Sequence, residues 1–183
     1  MSLLFVTGNR NKFLEAESIL KEYGVMIEHS PLAVPEERGE DCEMIAAGAA
    51  RFAFGKLKKP LFVEDSGLFI ESLNGFPGPY SAWVFSKLGC EGILTLMKGT
   101  VKRNAQFITA IGYADELGVK TFVGRCPGKI ANEKKGSGGF AYDSIFAPKG
   151  SEKTFAEDPA MKSHISHRRR AIEMFAKWMK EGR

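Results

Sequence analysis

Short apolar runs that stop at polar islands constrain this chain most. Leu3-Leu4-Phe5-Val6 runs into Thr7-Gly8-Asn9-Arg10-Asn11-Lys12, and Pro60-Leu61-Phe62-Val63 runs into Glu64-Asp65-Ser66-Gly67. Continuous apolar runs this short, bounded by turn signals, suit buried strands better than helices. Behind the first island, Phe13, Ala16, Leu20 and Tyr23 share one face of a helix starting at Lys12, and Gly24 is placed to end it. Strand, polar turn and helix open a β-α-β unit, so the class is α/β.

The same reading continues along the chain. Residues 25–28 suggest a second strand, and 31–41 a loop around Pro35 and Gly39. Asp41 can cap a second helix with Ile45, Ala49 and Phe52 on one face. Residues 60–63 read as a strand and 74–79 as a turn-rich segment. Two short helices follow at about 81–87 and 91–97. Strands at 105–113 and 120–123 flank a hairpin-like turn at 115–118. A last helix spans about 167–180, with Ala171, Ile172, Phe175 and Met179 apolar. Early β-α-β units and a β-rich second part predict a mixed sheet.

Composition narrows the function. The 183 residues fit one domain, and 44% hydrophobic content supplies a core. A net charge of +4 suits anionic small molecules without demanding nucleic acid. Arg168-Arg169-Arg170 is the nearest thing to a basic stripe. Cys42, Cys90 and Cys126 are odd in number and form no CxxC pair, which argues against a disulfide framework and a zinc site. The first apolar stretch is too short for a signal peptide or membrane span, so a cytoplasmic protein with no membrane association is expected.

Four islands carry the chemistry. Between a strand and a helix, Thr7 to Lys12 offers a lysine and helix-start N–H groups, which favour an anion. It is not a Walker A loop, and an ordinary turn capped by Asn9 or Asn11 is the plain alternative. Glu64-Asp65 at a strand end offers oxygen ligands for a hard cation or a group to deprotonate water, against a turn capped by Asp65. Glu36 and Glu37 could add a carboxylate, though a solvated acidic loop explains them as well. Gly138-Gly139-Phe140-Ala141-Tyr142-Asp143 sets aromatics beside a carboxylate, suited to stacking a base or to filling a core. The segment from Lys162 to Arg168 gathers His164, His167 and strong cations, as a solvated basic helix start also would.

Taken in order, these islands resemble the Ham1-like non-canonical purine nucleoside triphosphate pyrophosphatases, the inosine triphosphatase family. Intermediate markers are Val34-Pro35-Glu36 with Gly39-Glu40, Ser66-Gly67-Leu68, and Gly75-Phe76-Pro77-Gly78-Pro79-Tyr80-Ser81. The resemblance implies one two-lobed α/β domain over residues 1–183, with a long mixed β-sheet and a nucleotide cleft between lobes, usually as a homodimer. It implies Mg²⁺-dependent hydrolysis of ITP, dITP and XTP to the monophosphate and pyrophosphate, and no stable nucleic acid complex. By motif match, Thr7, Gly8, Asn9, Arg10, Asn11 and Lys12 would hold phosphates, and Glu36 and Asp65 the metal, with Asp65 the proton acceptor. Ser66 would touch the substrate, and Phe140 would stack on the purine beside Ala141, Tyr142 and Asp143. Lys162, His167 and Arg168 would complete the site, with His167 and Arg168 reading the purine 6-position. The chain departs from the family's Phe-Gly-Tyr/Trp-Asp-Pro at Ala141 and Ser144. The residues leave two alternatives: a Maf-like pyrophosphatase of other modified nucleotides, and a non-catalytic nucleotide- or RNA-binding protein.

Overall fold

The computed structural model describes residues 3–35 and 39–182. Among them, one mixed sheet is built from β1 (Leu3–Val6), β2 (Ile27–Ser30), β3 (Leu61–Ile70), β4 (Pro77–Gly78), β5 (Asn104–Asp115), β6 (Gly118–Ile130) and β7 (Phe146–Pro148). The order is β2-β1-β3-β5-β6-β7, with β4 paired to β3. β1 is parallel to both β2 and β3, with Phe5 opposite Phe62, whereas β4 and β7 run antiparallel to their partners. A strand with parallel neighbours on both sides is buried on both faces, which is why β1 is apolar throughout. The helices are α1 (Arg10–Glu22), α2 (Cys42–Leu57), α3 (Ser81–Leu96), α4 (Pro159–Ile165) and α5 (His167–Lys180).

The chain divides into two compact units. The first comprises residues 1–65, 109–124 and 168–183. Its core joins Phe5 and Phe62, stacked at 4.2 Å, to Ala16, Ile19 and Leu20 of α1 and to Ala171, Ile172, Phe175 and Ala176 of α5. Both helices bury residues one turn apart, the pattern of a helix laid on a sheet. The second unit comprises residues 66–108 and 125–167, and its core gathers Leu68 and Ile70 of β3, Val84 and Ile93 of α3, and Phe107, Tyr142, Phe146 and Phe155.

The elements depart from the sequence reading in instructive places. α1 starts at Arg10, two residues before Lys12, because Asn9 caps it. The second strand begins at Ile27 rather than Val25. Val25 N–H is taken by Leu20 O at 3.0 Å and Gly24 N–H by Lys21 O, with Gly24 at φ +73°, so both belong to the helix stop. β3 does not end at Val63; it carries the second island through its middle to Ile70. Asp41 caps α2 as expected, accepting from Glu43 N–H at 2.7 Å. α3 is broken at Gly89 (φ +58°, ψ −162°), which leaves the two helical pieces the sequence suggests. α4 is absent from the sequence reading, and α5 has its expected bounds.

Candidate active site

The first unit carries the islands at Thr7 to Lys12 and at Glu64-Asp65. Thr7 to Lys12 forms the turn from β1 into α1. Asn9 Oδ1 accepts from the N–H groups of Asn11 (2.9 Å) and Lys12 (3.2 Å), and Thr7 Oγ1 accepts from Asn9 N–H (3.1 Å). His29 Nε2 lies 2.7 Å from Thr7 O; a carbonyl only accepts, so that nitrogen carries the proton. The turn is thus held in place by its own side chains and by β2. Gly8, Asn9, Arg10 and Asn11 remain exposed.

Glu64 and Asp65 are adjacent in β3, so their side chains leave opposite faces of the strand. Glu64 is not a spare oxygen ligand. Its carboxylate is buried and takes Arg168 Nε and Nη2 at 2.9 Å, a two-pronged pair, while Lys12 Nζ lies 3.5 Å from Oε1 and donates to Glu64 O at 3.3 Å. Arg168 also binds Glu15 through Nη1. Burial pushes the Glu64 carboxyl up, but the Arg168 guanidinium and the Lys12 ammonium outweigh it and hold it below its usual range. Burial lowers the Arg168 guanidinium's affinity for its proton, and Glu64 and Glu15 more than restore it. Lys12 is therefore fixed at the head of α1 by a permanent anion.

Asp65 is half-buried and faces the start of α2, where it bonds the Cys42 thiol. Burial, then the Asp65 charge and hydrogen bond, push that thiol well up, so Cys42 stays a neutral S–H donor. Among the described residues no three His, Cys, Asp or Glu side chains gather as a metal cluster, and Glu36 lies outside the described residues. With Glu64 committed, Asp65 is the island's carboxylate that fits Mg²⁺, which is commonly held by one or two carboxylates together with substrate phosphates.

The second unit builds an aromatic end. Ser66 follows Asp65 directly, and Gly67 is required beside it: a Cβ there would sit 2.1 Å from Gly78 O on β4. Phe140 is half-buried, with Lys162 Nζ 4.3 Å from its ring centroid. Lys162 Nζ also lies 2.8 Å from Asp143 Oδ2, and that oxygen accepts from Phe140 N–H at 2.8 Å. Gly139, at φ +72°, lets the carboxylate in, since a Cβ would meet Asp143 Oδ2 at 2.2 Å. Ala141 sits at φ +52°, a left-handed conformation. Tyr142 goes to the core, edge-on to Phe85, and its hydroxyl donates to Ser81 O at 3.3 Å. His167 is buried and stacked on Phe107 at 4.5 Å. A surface cavity of about 760 Å³ in this unit, bordered by Phe69, Asn104, Pro127, Lys129 and Glu152, contains none of the island residues.

A model of the Ham1 family matches residues 3–178. The chain belongs to the Ham1 family. It is 50% identical over 182 residues to the dITP/XTP pyrophosphatase of Methanopyrus kandleri, covering 98% of this chain and 97% of that protein. It is 44% identical to the dITP/XTP pyrophosphatase of Thermococcus kodakarensis, covering 99% and 98%. The Ham1 protein structure from Staphylococcus aureus superposes over 100% of both chains, with a TM-score of 0.85 at 29% identity. The α/β mixed sheet is therefore the Ham1 fold.

Within this Ham1 chain the structure assembles Lys12, Glu64 and Arg168 in one unit and Phe140, Asp143 and Lys162 in the other. Sequence reasoning passed over Glu15, which binds Arg168, His29, which meets Thr7 O, Cys42, which bonds Asp65, and Phe107, which stacks on His167. Glu15 had a signal, one helical turn after Lys12; Phe107 in its apolar run had none. The triple-arginine cluster is not a basic stripe, because Arg168 is buried on carboxylates and Arg169 pairs with Glu22 and Glu173.

Proposed function

We infer that this chain is a nucleoside triphosphate pyrophosphatase. It hydrolyses the α–β phosphoanhydride of the non-canonical purine nucleotides dITP, XTP and ITP, giving the monophosphate and pyrophosphate and so cleansing the nucleotide pool. The observation that carries this reading is near-full-length identity of up to 50% with dITP/XTP pyrophosphatases, in a chain whose polar islands have the residues the chemistry needs.

In this reading, Thr7, Gly8, Asn9, Arg10, Asn11 and Lys12 bind the phosphates. The Glu64–Lys12 contact holds the ammonium in place before substrate arrives. Asp65, with Ser66 beside it, orients a water and takes its proton as the water attacks the α-phosphorus, and pyrophosphate leaves. Asp65 and Glu36 would hold Mg²⁺, which would supply neutralisation of the phosphate charge. Phe140 stacks on the base with the ring face that Lys162 does not cover, and Ala141, Tyr142 and Asp143 shape its surroundings. Lys162 completes the nucleotide site, and donors from His167 or Arg168 favour a 6-keto purine over a 6-amino one, because adenine would leave a buried donor unpaired. The Arg168 guanidinium is already on Glu64 and Glu15, so its replacement disturbs the phosphate end as well as base choice. The protein works in the cytoplasm as a homodimer, and exposed Phe76, Tyr80 and Trp83 are apolar surface that a partner copy would cover.

A panel of dITP, XTP, ITP, GTP, ATP and dUTP with Mg²⁺, with products identified, tests the reading. Preferential release of pyrophosphate from the first three is expected. Preference for dUTP would point to the Maf-like alternative. No turnover, with salt-sensitive RNA binding, would point to the non-catalytic one.

A further inference from the structure

Cys90 starts the second helical piece of α3, directly after the Gly89 break, and is buried. Its Sγ lies 3.4 Å from Ala141 O and 3.5 Å from Ser144 Oγ. These two atoms bracket the short 3-10 turn Ala141–Ile145, which begins at the residue after Phe140. A carbonyl only accepts, so the thiol donates to Ala141 O, and the Ser144 hydroxyl then donates to Sγ. Ala141 is held at φ +52°, a conformation that residues with a Cβ leave unless their surroundings fix it. Burial pushes the Cys90 thiol up, which keeps it a protonated donor.

We infer that Cys90 is a positioning residue: its thiol clamps both ends of the turn that follows Phe140, and so sets affinity for the base end of the substrate. The inference rests on Phe140 stacking on the base. Cys90 touches no substrate in this account; it acts through the turn. The contact is built by the Gly89 break, which restarts the helix with Cys90 facing the turn.

The test is steady-state kinetics with dITP, with inhibition by inosine monophosphate and by pyrophosphate, on the wild type and on Cys90→Ala, Cys90→Ser, Ser144→Ala and Phe140→Ala. Cys90→Ala should raise KM and weaken inosine monophosphate inhibition about fivefold, the scale of one lost hydrogen bond. It should leave kcat and pyrophosphate inhibition unchanged, since pyrophosphate has no base. Cys90→Ser should restore wild-type behaviour, because a hydroxyl can make both bonds. Ser144→Ala cuts one bond at a half-buried position and should move the same parameters by a smaller factor, so it decides the matter even if Cys90→Ala does not fold. Wild-type KM in Cys90→Ala or Ser144→Ala, failure of Cys90→Ser to rescue, or a parallel loss of pyrophosphate inhibition would overturn the inference. If Phe140→Ala itself leaves inosine monophosphate inhibition intact, the base platform falls; if only Phe140→Ala is impaired, the platform stands and the role of Cys90 falls.

Discussion

At the residue scale, two neighbouring carboxylates do different work because a strand sends them to opposite faces. Asp65→Asn keeps size and packing but removes the charge that, in the proposed mechanism, takes a proton or holds a cation. A loss of about 100-fold or more in kcat is expected with an unchanged melting temperature; near-normal turnover would remove Asp65 from the mechanism. Glu64 is different, and its role was not legible in the sequence, since its partner Arg168 lies 104 residues further along. Phe140 and Tyr142 look equivalent in the sequence, yet Phe140 is half-buried while Tyr142 fills the core. Only the local backbone, with Ala141 at φ +52°, separates them. Ala141→Gly should relieve that strain and stabilise the protein by about 1 kcal/mol, the scale of a left-handed residue with a Cβ. Denaturant unfolding would read it, and a destabilised variant would show that the turn carries no such strain.

At the element scale, helices were legible where apolar residues recur every turn and caps are explicit. α5 and the Asp41-capped α2 are examples. β3 looks shorter in the sequence than it is, because its island is polar and polarity usually ends a buried strand. The strand continues because Glu64 is neutralised in place by Arg168 from the first turn of α5 and Lys12 from the first turn of α1. Arg168 thus fastens α5 and α1 to β3. Arg168→Leu strands a buried carboxylate and should cost about 3–5 kcal/mol of stability. It should also lower kcat/KM for ITP and lower the ITP-to-ATP ratio. A variant as stable as the wild type, measured by the same unfolding curve, would mean that Glu64 finds another partner. Short α4, which carries Lys162, escaped notice because its seven residues hold too little periodicity.

At the scale of the whole molecule, the order of the islands identified the family, although no island was specific alone. What the residues could not give was their distribution: Lys12, Glu64 and Arg168 together in the first unit, and Phe140, Asp143 and Lys162 together in the second. Removal of divalent cations by chelation should stop turnover, and Mg²⁺ should restore it, as judged by pyrophosphate release. Full activity after rigorous metal removal would contradict the role given to Asp65 and Glu36.

In the proposed mechanism, water attacks the α-phosphorus of a non-canonical purine triphosphate. Hydrolysis of dITP in heavy-oxygen water, with both products analysed by mass spectrometry, is the decisive measurement. The expected result is one heavy oxygen in the nucleoside monophosphate and none in the pyrophosphate. Label in the pyrophosphate, or release of orthophosphate in its place, would contradict it.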